Sequence, residues 1–485
     1  MSNGAADSFL WTSLGLVGPL AARVSGAVPR GGATGISIDT RTLQKGNLFF
    51  AIKGPSSDGH DYAGAAFEKG AVAAVVDEVH AEVLKPFGPL YVVSDVLAAL
   101  QRLGAAARER SAARIVAVTG SAGKTSTKEA LRLALAQAGA SHAPVASYNN
   151  HWGVPLTLAR MPRHTRFGIY EIGMNHQGEI KPLSALVRPH VAIITTIAPV
   201  HLEYFESLDD IADAKAEIFS GLVQGGVAIL NRDIAEFERL LAHAKASPAG
   251  HVASFGEHAQ ADAKLMSVTL GADHSIVQAE VCGHRLTYRL GAPGRHLAMN
   301  SLAVLLTAKA FGVDIELAAG TLAHFSAQPG RGERLCLSAK NGPFTLVDES
   351  YNANPASMRA AIALAGALPL PGNGRRIAVL GDMLELGDKG AAMHAELAGD
   401  AVANHLDLVF AAGPLMKHLF EALPGHLQGA WRDCASDLAA AVVAAVQSGD
   451  MVIVKGSNGS RMSAIVDALK ESARPENSAQ SHQGP

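Results

Sequence analysis

Between Ile115 and Ser126 the chain holds residue types whose spacing suits polyphosphate chemistry. The apolar run Ile115-Val116-Ala117-Val118 leads through Thr119 into the small-residue loop Gly120-Ser121-Ala122-Gly123, and Lys124, Thr125 and Ser126 follow at once. A loop of this kind at a helix start aims backbone N–H groups at an anion, and the helix dipole favours negative charge there. Lys124 has the reach for outer phosphates, and the Thr125 hydroxyl suits a magnesium ion. The loop is shorter than GxxxxGK[ST], because position 118 is Val. The residues from Thr119 to Ser126 are therefore the candidate nucleotide-phosphate site.

A cradle of this type needs a buried parallel strand before it and a helix after it. The apolar run supplies the first, and the pattern over 124–137 predicts the second. Strand-then-helix patterns recur from about 113 to 328, which implies a mostly parallel sheet. In such sheets ligands lie outside the carboxyl ends of strands, so polar residues after apolar runs matter most. Three further strand ends qualify: the amide-rich Ser147 to Pro155 with Asn149 and Asn150, Phe167 to Tyr170 ending in Glu171, and Val191 to Ile197 ending near His201. Glu171 and His201 are candidate ligands for a divalent cation beside the phosphates.

Lys215 stands apart. Ser207 with Asp210 reads as a capping box, predicting a helix over 208–222. Ile211, Lys215, Ile218 and Leu222 then share one stripe. A lysine there must be paired, neutral or modified, or must snorkel to the surface. A neutral amine also reacts with carbon dioxide to give an anionic carbamate.

The outer thirds of the chain follow the same pattern. Residues 1–112 read as a smaller α/β unit. It has a short helix then a loop over 9–28, strands over 36–41, 47–52 and 71–76, and a helical stretch over 62–69. Its polar loop Gly54 to Asp61 suits ligand contacts and equally suits a solvated turn. A hinge is expected at 329–334. Beyond it, runs over 344–347, 377–380, 408–411 and 451–454 end in polar or glycine residues, as in a doubly wound sheet. The tail 472–485 is polar and aperiodic, and disorder is expected there.

The 485 residues suffice for three domains, and the net charge of −3 argues against a nucleic-acid surface. Cys282, Cys336 and Cys434 form no CxxC pair, which argues against a disulfide framework or zinc and suits a reducing compartment. The 9–28 segment lacks a basic flank and is interrupted by Pro19 and Arg23, so a soluble cytoplasmic protein is expected.

Taken together these segments resemble the Mur ligase family, the ATP-dependent amide-forming enzymes of peptidoglycan synthesis. The resemblance runs over about 36–469, and its marks are TGSAGKTSTKE at 119–129, YNNHWGVPLTL at 148–158, EIGMNHQGEI at 171–180, HLEYFESLDDIADAKAEIFSGL at 201–222, DESYNANPASM at 348–358 and GDMLELG at 381–387. The shortened phosphate loop is the form this family uses. The resemblance implies an α/β protein of three domains: 1–112 for a UDP-linked substrate, 113–328 as a P-loop-type ATPase domain, and 329–471 as a Rossmann-like doubly wound domain.

The same resemblance implies ATP and Mg2+ held by Thr119, Gly120, Ser121, Ala122, Gly123, Lys124, Thr125 and Ser126, with Asn300, Arg331 and Asp348 at adenine and ribose. It further implies Thr125, Glu171 and His201 at metal sites, Lys124, Glu171, His201 and Lys215 in catalysis, and carbamylation of Lys215. Asp39, Thr40, Arg41, Asn149 and Asn150 would meet substrate. The implied substrates are UDP-N-acetylmuramoyl-tripeptide and D-alanyl-D-alanine, joined through an acyl phosphate by a monomer, with no nucleic acid and no membrane insertion. Leu297 stands where relatives often carry Asn, and the run 456–461 is longer than the Gly-Ser-Arg-Ser of some relatives. Single-amino-acid ligases of the same architecture, folylpolyglutamate-type enzymes and a P-loop switch are the competing readings.

Overall fold

Val116 and Val118 point to one side of their strand, and Ile115 and Ala117 to the other; both sides are buried in separate apolar clusters. A strand covered on both faces must be interior, so helices have to pack on each side of its sheet. The computed structural model, which describes residues 9–27, 31–145, 147–200, 203–271, 273–339, 342–370 and 372–473, has this layering in three sheets.

The central sheet runs, edge to edge, His284–Leu290, Ser275–Val281, Ala263–Leu270, Ala249–Gly256, Gly226–Asn231, Val191–Ile194, Arg114–Thr119, Phe167–Glu171, Ser141–His142. Pairing is parallel except for the two antiparallel steps among the first three strands. Gly226–Asn231 is interior, while the antiparallel strands close one edge. Register sets Thr119 opposite Ile194 and Val118 opposite Glu171, which aligns three strand ends along one edge.

The first sheet has the order Arg23–Ser25, Leu90–Val93, Ala73–Asp77, Asn47–Phe50, Gly35–Ser37, with only the first pair antiparallel. Its helix Val96–Glu109 shares a core with Leu156 and Ala159 of the central helix Gly153–Ala159, so the two sheets are joined by packing. The third sheet has the order Glu333–Ala339, Gly342–Glu349, Met451–Lys455, Arg376–Gly381, Leu408–Ala412, Gln428–Arg432.

Several sequence expectations change. The strand predicted over 36–41 stops at Ser37, because the Asp39 carboxylate accepts the Arg41 backbone N–H and forms a turn. The 9–28 segment is strand Trp11–Thr12, helix Ser13–Leu20 and strand Arg23–Ser25. The helix predicted over 208–222 is α-helical for Leu208–Ala216 and tightens to 3₁₀ over Glu217–Gly221, where Ser184 Oγ donates to the Ile218 carbonyl and Gly221 packs on the Ser184 backbone. The edge strands Glu333–Ala339 and Gln428–Arg432 were not foreseen, and the first begins inside the expected hinge. Ser472 closes the last helix, Ser463–Ser472, while the tail from 474 lies outside the described residues. Among the described residues no helix is long and apolar enough to cross a membrane.

His190 fastens the phosphate-loop strand to its neighbour: its Nδ1 accepts the Ile115 N–H at 3.0 Å, and its own N–H donates to the Ile115 carbonyl. Burial, then the charges of Arg108 and Arg114, push its pKa from 6.5 to about 4. The unfolded chain therefore binds more protons here between those values, so folding stability is expected to fall as pH drops from 6.5 towards 4. Urea titrations at pH 7 and pH 4.5 check this; His190→Asn should lose less stability over that interval than the native chain.

Candidate active site

The aligned strand ends and the third sheet enclose a cavity of about 500 Å³. Its floor is the phosphate loop. Gly123 takes the left-handed conformation at φ 80°, and a Cβ there would strike the Asn300 amide. Only glycine fits both demands, so Asn300, on helix Arg295–Ala310, sits against the start of helix Lys124–Ala136. Gly120, with φ 148°, is hemmed in by Thr195, whose hydroxyl donates to the Ala122 carbonyl at 2.6 Å. The Ser121 N–H donates to Thr196 O, and its hydroxyl to Ala198 O. The Ser126 hydroxyl turns back to Gly123 O. Thr119 is buried at the strand end, where its hydroxyl meets no hydrogen-bond partner among the described residues.

Beside this loop a polar group forms around Glu171, itself 1% exposed. Thr125 Oγ1 donates to its Oε2 and Asn149 Nδ2 to its Oε1, both at 2.8 Å. A carboxylate and a hydroxyl next to a phosphate cradle are oxygen donors that fit a hard divalent cation. Lys124 Nζ donates to the Gly120 carbonyl at 2.7 Å. Loss of hydration lowers its pKa, Glu171 opposes that, and Arg331 adds to it.

Arg331, from the far side of the cavity, donates to Ser147 Oγ at 2.9 Å and lies 3.9 Å from the Tyr351 ring centre. This bond ties the third sheet's entry to the central strand ends. Asp348 holds the turn beneath: it accepts Gly330 N–H at 3.0 Å and the Ser350 hydroxyl at 2.6 Å. Lys455 pairs with Glu349 at 2.8 Å. Burial raises the Glu349 pKa, but the Lys455 charge and hydrogen bond outweigh it, leaving the carboxyl below its ordinary value.

Lys215 is 2% exposed on the buried stripe of its helix, and no carboxylate among the described residues pairs with it. Burial first, then the Lys124 charge, drives its pKa far below the ordinary lysine value. Both causes favour the neutral, nucleophilic form of the amine over the ammonium.

The predicted residues therefore fall into groups. Ser121, Ala122, Gly123, Lys124, Ser126, Asn149, Glu171, Asn300 and Arg331 line the cavity, while Thr125 reaches it through Glu171. Lys215 is close enough to Lys124 for charge coupling. Asp348 and Asn150 do not line the cavity: the first braces its turn, and the second caps helix Gly153–Ala159 through the Trp152 and Gly153 N–H groups. Asp39, Thr40 and Arg41 lie in the turn after the first sheet's edge strand, where Arg41 forks onto Asp39 and Lys69 donates to Thr40 O. His201 lies outside the described residues. Thr195, Thr196 and Asn231 also line the cavity and were not singled out. Each follows or ends an apolar strand, so the same strand-end rule would have found them.

Models of known families match almost end to end. Residues 33–110 match "Mur ligase family, catalytic domain", 118–308 match "Mur ligase middle domain", and 330–458 match "Mur ligase, glutamate ligase domain". The chain is 31% identical over 458 residues to the UDP-N-acetylmuramoyl-tripeptide–D-alanyl-D-alanine ligase of Rickettsia prowazekii, covering 94% of this chain and 99% of the relative. It is 34% identical to the Bacillus subtilis ligase of the same name, over 90% of this chain and 93% of that one. Its fold superposes on a crystal structure of MurF from Acinetobacter baumannii with a TM-score of 0.82 at 29% identity, over 95% of this chain and 99% of the other.

Proposed function

The chain belongs to the Mur ligase family, and we propose that it joins D-alanyl-D-alanine to UDP-N-acetylmuramoyl-tripeptide at the expense of ATP. One observation carries the reading: Lys124 at the phosphate loop and Glu171 at a neighbouring strand end, the latter bonded to Thr125, face Arg331 of the turn before the third sheet across one cavity. A nucleotide bound there touches both halves, so the two must be held together while it reacts.

A carboxylate is inert to amines until its oxygen becomes a leaving group. Transfer of the ATP γ-phosphoryl group to the tripeptide carboxylate, with release of ADP, gives an acyl phosphate. The dipeptide amine then attacks the carbonyl, loses a proton, and phosphate departs with the C–O electron pair. The first step brings two anions together, so positive charge at the phosphates sets its rate. Lys124 and Arg331 supply that charge from this chain. Thr125 and Glu171 would hold Mg2+, which when bound draws electron density from the phosphoryl oxygens. Lys215 fits a carbamate, since burial and the Lys124 charge both disfavour its ammonium form; the carbamate anion would attract Lys124 where an ammonium would repel it. Asn149 holds Glu171 in orientation, and Arg331 with Ser147 closes the cavity against water, to which an acyl phosphate is vulnerable.

The first sheet, with Asp39, Thr40 and Arg41 in the turn after its edge strand, is our assignment for the UDP-linked end, and Asn300 for the nucleoside end of ATP, with Asp348 bracing the turn that carries Arg331. The reading includes a cytoplasmic monomer, in keeping with three free cysteines. Its test is a mixture of ATP, magnesium, UDP-N-acetylmuramoyl-tripeptide and D-alanyl-D-alanine, read by mass for the pentapeptide product. Phosphate release should need all components and should not occur with single amino acids or glutamate. Steady ATP turnover without a dipeptide acceptor would favour a P-loop switch instead.

A further inference from the structure

A second polar cluster lies away from the cavity, on the first sheet. Asp58, His60 and His80 bring potential ligand atoms within 4.8 Å of one another, and the two imidazoles stack with ring centres 4.0 Å apart. The hydrogen bonds argue against a metal. His60 Nε2 accepts the Asp77 backbone N–H at 3.1 Å, so its proton is on Nδ1, where it donates to Asp58 Oδ1 at 2.6 Å. Both ring nitrogens are committed. A metal on Nδ1 would leave a ring that must stay deprotonated at Nε2, which an ordinary neutral imidazole ligand does not do. His80 Nδ1 in turn donates to Asp77 Oδ1 at 2.7 Å.

Instead the ring acts as a strut. His60 is 3% exposed and connects the loop after strand Asn47–Phe50 to the end of strand Ala73–Asp77. The loop is closed on itself, with Gly54 N–H donating to Ser57 O and Gly59 N–H to Ile52 O. At its tip Gly54 lies against the Trp152 ring, in the amide-rich segment of the central sheet. Immediately after the strut, Tyr62 is exposed and lies within electrostatic reach of Arg41, as does Tyr148 of the central sheet. One buried ring thus fixes the loop that meets Trp152 where the first and central sheets adjoin.

We propose that His60 is a positioning residue for the UDP-linked substrate, holding loop 53–62 against Trp152 so that this junction is ordered before the substrate arrives. The inference rests on assigning the first sheet to that substrate. Losing the strut leaves the chemistry untouched and makes binding bear the cost of ordering the loop.

The test uses the full chain as native, His60→Ala and His60→Asn, with calorimetric binding of UDP-N-acetylmuramoyl-tripeptide and steady-state kinetics. His60→Ala should weaken substrate binding about tenfold and raise its KM alike, with kcat and the KM for ATP within about twofold. His60→Asn, whose amide keeps a donor towards Asp58, should recover binding to within about threefold of native. Unchanged binding in His60→Ala, or equal shifts in every KM, overturns the proposal. If His60→Ala does not fold, the Asn variant decides, with kcat loss at unchanged substrate KM counting against us. A native chain that does not bind the UDP-linked substrate overturns the functional reading and this inference with it. Equimolar zinc chloride should not shift the melting temperature; a rise in native protein that His80→Ala abolishes makes the cluster a metal site and removes the strut.

Discussion

Lys215→Ala is expected to lower kcat for ligation by about a thousandfold or more while the protein stays folded. The direction for stability follows from burial. A lysine 2% exposed, without a carboxylate partner among the described residues, could keep its charge only by losing hydration and meeting repulsion from Lys124. Alanine removes both penalties and keeps the helix, so thermal unfolding should shift little. The direction for activity follows from the same facts. The neutral amine can add carbon dioxide, R–NH2 + CO2 giving R–NH–COO⁻ and a proton, and the product places a fixed anion beside Lys124. Deleting it removes that anion from a dry site, where a preorganised charge acts most strongly. Phosphate-release kinetics with melting curves check both halves. Near-native turnover in the variant refutes the role, and activity insensitive to bicarbonate removal refutes the carbamate.

Lys124→Met should be comparably severe. The methionine side chain is close in length and apolar, so packing at the loop survives while the charge is lost. Its ammonium is part-buried, bonded to Gly120 O, and under the opposing influence of Glu171 and Arg331. With one fewer cation at the phosphates, kcat should fall by about 10²–10³ and ATP should bind more weakly. In the double variant Lys124→Met, Lys215→Ala the losses should be far from additive, since each residue acts on the other's charge. Losses that multiply independently would show that the two lysines do not form one electrostatic unit.

Much of this protein can be read from local pattern. The apolar run ending at Thr119, the glycines around Ser121 and Ala122, and Lys124 at the helix start identify the phosphate loop, because strand period, loop sterics and helix polarity are all local properties. Lys215 was also legible, since 100° spacing alone puts it on the stripe with Ile211 and Ile218, and both neighbours are indeed fully buried. Edge strands were not legible. Glu333–Ala339 and Gln428–Arg432 are covered on fewer sides than the interior strands, so their sequences lack the continuous apolar run that betrays them.

Only the tertiary structure decided which polar residues meet. Arg331 and Ser147 are far apart in sequence, yet one hydrogen bond joins them across the cavity. Asp348 and Asn150, attractive as ligand contacts, instead hold a turn and cap a helix, because backbone N–H groups at turns and helix starts need acceptors. Periodicity fixes which face of an element is buried. Which partner that face meets depends on sheet order and register, and those are settled by packing between segments distant in the chain.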